Sequence, residues 1–97
     1  MKPSDALQRH RGEIRRVVEQ HGACNARVFG SVVHGNDRDD SDLDLLVEPI
    51  DGKTTLTSLV RIKRDLESIT GVPVDVVTPM ALQERMRQVV IAEAVPV

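Results

Sequence analysis

The sequence predicts an α+β fold in which helices pack on a small mixed β-sheet. Its periodic segments follow the order helix, strand, short turn, strand, helix, strand, helix. The first strand ends at Gly30-Ser31 and the second begins at Asp42-Leu43-Asp44, and these groups meet if the two strands are antiparallel neighbours. The second and third strands are joined through a helix, which favours a right-handed parallel crossover and makes the sheet mixed.

The amino-terminal segment predicts a helix that begins after Ser4, a good N-cap, and stops at Gly22. Its apolar residues recur at helical spacing and define an inner stripe of Leu7, Ile14, Val17 and Val18. The arginines of this helix lie mainly off the stripe and indicate a solvated face, formed by Arg9, Arg11, Arg15 and Arg16.

The next segment predicts a strand over residues 26–29 and a single helical turn over residues 32–34, which Gly35 closes. Residues 36–41 form a polar loop. Residues 43–48 predict a second strand that is apolar enough to be central in the sheet.

The second half predicts a long helix over about residues 54–70, which Gly71 ends, and a third strand over residues 72–78. Thr78 as N-cap and Pro79 at the first helical position open a last helix. The inner stripes of these two helices are Leu59, Ile62, Leu66 and Ile69, then Leu82, Met86, Val89 and Val90.

The length of 97 residues indicates one domain, residues 1–97, with a core small enough for a partner chain to add stability. The apolar tail, residues 91–97, can pack on the core, on a sister subunit or on another protein, which leaves homo- and hetero-oligomers open. Thirteen basic residues balance fifteen acidic ones and Phe29 is the only aromatic residue, so direct nucleic-acid binding is not expected. The single cysteine, Cys24, excludes an internal disulfide and suits a reducing cytoplasm. We expect no membrane span and no signal peptide.

The most informative feature of the chain is Gly30-Ser31 followed, after ten intervening residues, by Asp42 and Asp44. Backbone N–H groups at a glycine–serine turn that opens a helical turn favour anions such as phosphate. Side chains at i and i+2 of a strand share a face, so Asp42 and Asp44 point the same way and repel each other. A divalent cation relieves this repulsion, most often Mg²⁺ where phosphate oxygens complete its shell. The pattern predicts metal-assisted chemistry on a nucleoside triphosphate.

A third carboxylate, Asp75, lies in the middle of an apolar strand, where burying an unpaired acid is costly. If the second and third strands are parallel, Asp75 lies at the level of Asp42 and Asp44, and three carboxylates converge. The alternative places Asp75 on an edge that faces water; the uniformly apolar neighbours favour the metal site.

Each part of this pattern also has a plain structural interpretation. Gly30-Ser31 alone can be a turn with an N-cap, and Asp-x-Asp is common in loops. His34 is interpreted as a surface or phosphate-side residue, because no second histidine or cysteine lies at zinc-site spacing. The remaining loop acids are interpreted as solvated and not as ligands: Asp37, Asp39 and Asp40.

These motifs together resemble the minimal nucleotidyltransferases of the DNA polymerase β superfamily, over nearly the whole chain. The matching segments are Phe29-Gly30-Ser31, Gly35, residues 41–47 and residues 74–77. Family members often carry Ala-Arg where this chain has Val33-His34. The resemblance implies a nucleotidyltransferase fold like the palm of polymerase β. Many proteins of this kind look like antitoxins encoded beside a HEPN-domain ribonuclease toxin, and some transfer AMP from ATP to a tyrosine of that toxin.

The resemblance also implies roles for individual residues. Gly30, Ser31, Asp42 and Asp44 bind the nucleotide, and Asp42, Asp44 and Asp75 are the catalytic residues and metal ligands. Two Mg²⁺ ions are expected with ATP as substrate, one holding the triphosphate and the other lowering the pKa of the acceptor hydroxyl.

The expected function is metal-dependent transfer of AMP, or another NMP, to a hydroxyl of a partner protein. The chain has no second domain to enclose an acceptor, so a partner, expected to be a HEPN-domain toxin, presents it. Two alternatives stay open: an antitoxin that neutralises its toxin by binding alone, and a small-molecule nucleotidyltransferase of the aminoglycoside-modifying kind.

Overall fold

The computed structural model describes all residues 1–97, which form a four-stranded sheet with two long helices packed on one face. None of the helices combines the length and apolar character needed to cross a lipid bilayer. A 3-10 turn, Pro79–Ala81, precedes the last helix. The other elements are α1 (Pro3–Gln20), β1 (Ala23–Phe29), α2 (Ser31–His34), β2 (Leu43–Pro49), α3 (Leu56–Thr70), β3 (Val74–Val77), α4 (Glu84–Glu93) and β4 (Val95–Pro96).

The sheet has the strand order β3-β2-β1-β4 and is mixed, as the sequence predicts. Strand β1 runs antiparallel to β2, whereas β2 and β3, which α3 connects, run parallel. The carboxyl-terminal tail pairs with β1 through β4, and Val97 is buried in the core of its own chain. Of the three positions considered for this tail, packing on the core is therefore the one that the structure adopts for its last residues.

The core lies between the two long helices and one face of the sheet. Leu43, Leu45 and Val47 of β2 alternate onto this face and are fully buried with Ile14 of α1 and Ile62 of α3. Because side chains alternate along a strand, the residue between the first two leucines points to the other face of the sheet. That residue is an aspartate, so the fold directs it away from the helical layer.

The amino-terminal boundaries differ from the predicted ones. Helix α1 begins at Pro3 with Lys2 in the N-cap position, and Ser4 does not cap it. Proline at the first helical position fixes φ in advance, and the Ser4 N–H instead donates to Asp37 Oδ2 at 2.8 Å. Strand β1 starts at Ala23, earlier than predicted. A bulge at Asn25, with φ of 51°, interrupts the alternation by which strands are identified.

The later boundaries differ as well. Helix α3 begins at Leu56 after the N-cap Thr55, and β3 is limited to Val74–Val77. The predicted last helix is broken, because Leu82 has extended backbone angles after the 3-10 turn and the helix restarts at Glu84. Of its predicted inner stripe only Val90 is buried, so α4 packs far less tightly than its periodicity suggests.

Candidate functional site

The site is built around Gly30, where β1 ends and α2 begins. Gly30 has φ of 79° and ψ of −146°, a conformation that essentially only glycine adopts. A Cβ atom added to Gly30 would also collide with Oδ2 of Asp44. The glycine is therefore required twice, once by the backbone angle and once by the close approach of the Asp44 carboxylate.

The turn that follows Gly30 presents backbone donors. The first hydrogen bond of α2 runs from the Val33 N–H to the Gly30 carbonyl, at 3.1 Å. The N–H groups of Ser31 and Val32 precede that bond, so the helix itself offers them no acceptor. Such donors, together with the half-buried Ser31 hydroxyl, favour an anion at this place.

Sheet register brings two of the predicted acids side by side. Asp44 lies in β2 between Phe29 of β1 and Asp75 of β3, because both residues are its register partners. Register partners on adjacent strands direct their side chains to the same face. Asp42 lies two residues before Asp44, just outside β2, and is exposed like Asp75, whereas Asp44 is half-buried.

The three carboxylates carry like charges, and no basic side chain neutralises them. Burial, followed by the charges of Asp75 and Asp42, raises the pKa of Asp44 from 3.8 to about 6. None of the three carboxylates takes part in an ion pair, since all six ion pairs of the chain involve other residues. A concentration of uncompensated negative charge of this kind favours a bound cation.

The donor set fits a divalent metal such as Mg²⁺, because carboxylate oxygens are hard ligands and no basic side chain competes for them. No group of three or more histidine, cysteine, aspartate or glutamate side chains is placed to hold a metal ion as the side chains stand. Asp42 and Asp75 are both exposed, and Asp75 lies on the edge strand β3, as the alternative considered from sequence has it. Convergence of all three acids on one ion therefore stays a prediction.

The structure also places His34 and the three loop acids that the sequence analysis did not count as ligands. His34 is exposed and lies at the end of α2, beside the turn. Asp39 and Asp40 are exposed, as expected for solvated loop acids. Asp37 differs, because the backbone N–H of Ser4 that it accepts holds its pKa below the usual value. It tethers the loop to α1.

Glu93, at the end of α4, belongs to the site and was not predicted from sequence. Its Oε1 accepts a hydrogen bond from the Gly30 N–H at 3.3 Å, and its Oε2 lies 2.9 Å from Nε2 of His34. A signal was present in the sequence. Glu93 continues the helical spacing of Met86 and Val90, so it is an acid on a stripe that is otherwise apolar.

An open groove of about 490 Å³ separates α4 from the turn at Gly30. Its apolar wall is formed by Phe29, Met86, Val89 and Val90, and its polar end by His34 and Glu93. A second groove, of about 380 Å³, lies near the start of β1 and is lined by polar side chains such as Lys53 and Arg61. The acids are at the opposite end of the β1–β2 pair, so only the first groove adjoins them.

The fold and these residues define a class of protein, the nucleotidyltransferases. Residues 11–97 match the family model of the nucleotidyltransferase domain, and the chain therefore belongs to that family. It is 37% identical over 89 residues to a Methanocaldococcus jannaschii protein named "putative protein adenylyltransferase", a match that covers 88% of this chain and 95% of that protein. It is 33% identical over 89 residues to the protein adenylyltransferase MntA of Thermococcus cleftensis, covering 92% of this chain and 86% of MntA.

Solved structures agree with this assignment. A structure described as a "putative minimal nucleotidyltransferase" superposes with a TM-score of 0.86 at 42% identity and covers 97% of this chain and 95% of its own. A toxin–antitoxin structure with AMP-PNP superposes with a TM-score of 0.74 at 20% identity, covering 88% of this chain and 69% of the other, and shows likeness of fold alone. The predicted family and α+β fold are confirmed.

Proposed function

We propose that this chain transfers AMP from ATP to a hydroxyl group of a partner protein. The observation that carries the proposal is the row formed by Asp44 and Asp75, with Asp42 two residues before Asp44. None of these acids is paired with a basic residue, and the Asp44 carboxylate lies against the Gly30 turn. The relatives named as protein adenylyltransferases support both the nucleotide and the class of acceptor.

The chain's own residues account for nucleotide binding. The backbone N–H groups of Gly30, Ser31 and Val32 would hold phosphate oxygens of ATP, and the Ser31 hydroxyl adds one more donor. Asp42, Asp44 and Asp75 would hold Mg²⁺, for which we expect two ions. When bound, the metal neutralises charge on the triphosphate and on the departing pyrophosphate.

The transfer needs no covalent intermediate on the enzyme. The acceptor hydroxyl oxygen bonds to the α-phosphorus, the bond from that phosphorus to the bridging oxygen breaks, and pyrophosphate leaves. We assign Asp75 as the group that takes the hydroxyl proton, because it is exposed where an acceptor can approach and is level with Asp44. The protein's contribution is to position the reactants and stabilise charge.

A partner protein is needed to complete the site. Asp42 and Asp75 are exposed beside the open groove at the Gly30 turn, and residues 1–97 do not enclose an acceptor there. From the family resemblance we infer that the partner is a HEPN-type ribonuclease toxin, and the toxin–antitoxin structure shares the fold. We expect the protein to act in the cytoplasm, where its single free cysteine, Cys24, suits reducing conditions.

The experiment is a transfer assay with matched variants. The purified chain is incubated with Mg²⁺, ATP labelled at the α-phosphate and the product of the neighbouring gene, and label on that protein is measured. Asp44→Asn and Asp75→Asn should each reduce labelling at least about a hundredfold, because each removes a ligand or proton acceptor. Asp40→Asn, the same charge change on an exposed loop acid, should leave it unchanged. Labelling that survives both site substitutions contradicts the proposal.

The same variants test the second candidate, an antitoxin that acts by occlusion. The exposure of apolar Met86 and Val89 on α4, at 54% and 59%, favours protein binding whether or not transfer follows. If Asp44→Asn neutralises the toxin as well as the wild type does, occlusion is sufficient. If neutralisation is lost while binding persists, transfer is required.

A further inference from the structure

Glu93 occupies a hydrogen-bond donor that the triphosphate would use, the backbone N–H of Gly30. The Gly30 N–H points to Glu93 Oε1, and His34 Nε2 contacts Glu93 Oε2. The side chain of Glu93 is only 21% exposed, so water screens its charge incompletely. Two groups that could serve a phosphate oxygen at this turn are thus held by one carboxylate of the chain itself.

A carboxylate and a phosphate oxygen compete for the same donor. One N–H group directs its hydrogen to one strong acceptor, and a second anion placed beside Glu93 would be repelled by it. We propose that Glu93 is an internal competitor for the phosphate turn, which occupies the Gly30 N–H until a nucleotide displaces it. This inference rests on the proposed binding of ATP and goes further, because it assigns a regulatory contact to α4.

The contact is weak enough to be released. The distance of 3.3 Å from the Gly30 nitrogen to Glu93 Oε1 is at the long end for an N–H···O bond. A single hydrogen bond of this kind contributes only about 1 kcal/mol net, so a phosphate oxygen that takes the same N–H group can replace it.

Few side chains of the helix that carries Glu93 are buried, although β4 holds the chain that follows it. Val90 is the only buried residue of α4. The side chain of Arg87 holds α4 to the 3-10 turn by donating hydrogen bonds to the carbonyls of Pro79 at 2.7 Å and Leu82 at 2.9 Å. Because β4 holds the chain that follows α4 against β1, release of the Gly30 N–H requires only a rotation of the Glu93 side chain toward the open groove beside it. Little apolar burial is lost in such a rotation.

A binding experiment without chemistry tests the inference. The dissociation constant of AMP-PNP with Mg²⁺ is measured by calorimetry for the wild type, for Glu93→Gln and for Glu84→Gln. Glu93→Gln keeps the shape and removes the charge, and it should tighten binding about five- to tenfold. Glu84→Gln makes the same change on an exposed position at the other end of α4 and should have no effect. Equal or weaker binding by Glu93→Gln overturns the inference, provided that the wild type binds.

A measurement on the wild type covers the case in which Glu93→Gln folds poorly. When AMP-PNP and Mg²⁺ are added to isotope-labelled protein, the NMR signals of the Gly30 amide and of the Glu93 carboxyl carbon should shift together. A shift of the Gly30 amide without one at Glu93 overturns the inference. A wild-type protein that binds no AMP-PNP contradicts the proposed function itself, and the inference is lost with it.

Discussion

At the scale of single residues, the site depends on Gly30 and Asp44 sharing a space that leaves no room for a Cβ atom. Gly30 must have a positive φ to end β1 and open α2, and the carboxylate of Asp44 lies against its Cα. The turn and the acid are thereby fixed relative to each other by contact. Any side chain at residue 30 has to displace one of them.

We predict that Gly30→Ala destabilises the fold by about 2–4 kcal/mol and abolishes nucleotide binding, because backbone strain and a collision add. Gly52→Ala is the matched control, since Gly52 also has a positive φ, 78°, but has no atom within 4 Å of an added Cβ. It should cost only about 1–2 kcal/mol and leave binding intact. Urea denaturation measures the loss of stability and AMP-PNP titration measures the loss of binding. If the two variants lose equal stability, the collision with Asp44 makes no contribution.

The second residue-scale prediction concerns Asp44 and pH. Its pKa is about 6 in the folded chain against 3.8 as a free group, so ionisation of Asp44 opposes folding. Below about pH 4 the group is protonated in both states and there is no penalty. The penalty grows as pH rises and is complete above about pH 6. Because a shift of this size corresponds to at most ~3 kcal/mol, and solvent screens a half-buried group, Asp44→Asn should stabilise the metal-free protein by about 1–2 kcal/mol at pH 7.5.

The measurement is urea denaturation in EDTA at pH 7.5 and at pH 4, where the advantage of Asp44→Asn should disappear. Asp40→Asn, on an exposed loop, should show no advantage at either pH. Adding Mg²⁺ at pH 7.5 should raise the stability of the wild type and not that of Asp44→Asn, because only the wild type retains the ligand. A gain that is independent of pH would show that charge is not its cause.

At the scale of elements, capping explains why α3 starts where it does. Thr55 Oγ1 accepts the Ser58 N–H at 3.1 Å, and Ser58 Oγ accepts the Thr55 N–H at 3.0 Å, which is a reciprocal capping box. At the far end Gly71 adopts a left-handed conformation and ends the helix. Helix α3 also secures the strand of Asp75, since Lys63 donates to the Val74 carbonyl and Glu67 accepts its N–H.

We predict that Thr55→Ala destabilises the protein by about 1 kcal/mol, because the Ser58 N–H loses its acceptor at the start of α3. Thr57→Ala is the control: Thr57 lies in the same exposed first turn and makes no capping bond. Both are measured as shifts of the urea midpoint at constant m-value. If the urea midpoint of Thr55→Ala matches that of Thr57→Ala, the Thr55 cap does not stabilise α3.

At the scale of the whole molecule, a single layer of side chains joins the helices to the sheet. Ile62 and Leu66 of α3 and Ile14 of α1 are fully buried against the face opposite to the acids. A 97-residue chain has little stability to spare, so each of these side chains is a large part of the total. The face that carries the acids is held in place by packing on the other side of the sheet.

We predict that Leu66→Ala costs about 2–5 kcal/mol through lost burial and a cavity. Leu56→Ala, on the same helix but 78% exposed, should cost less than about 0.5 kcal/mol. Thermal and urea denaturation give both values. The assignment of the core would be wrong if the two leucine substitutions had similar effects.

The sequence by itself determined the order of the elements from α1 to β3 and the mixed sheet, because those depend on local periodicity and on strand connection. Its short motifs predicted the residues of the acidic site. The register that places Asp75 beside Asp44 follows from the parallel pairing of two apolar strands. Glycines at φ above zero marked the ends of α2 and α3, since that conformation is a local property.

Only the tertiary structure decided which distant groups meet. The contact of Glu93 with the Gly30 N–H joins residues 63 positions apart, and no local pattern encodes such a distance. The bulge at Asn25 and the pairing of the tail with β1 have the same origin. In each of them contacts that are remote along the chain outweigh local preference, because burial and hydrogen bonding are satisfied by the whole molecule and not by a segment.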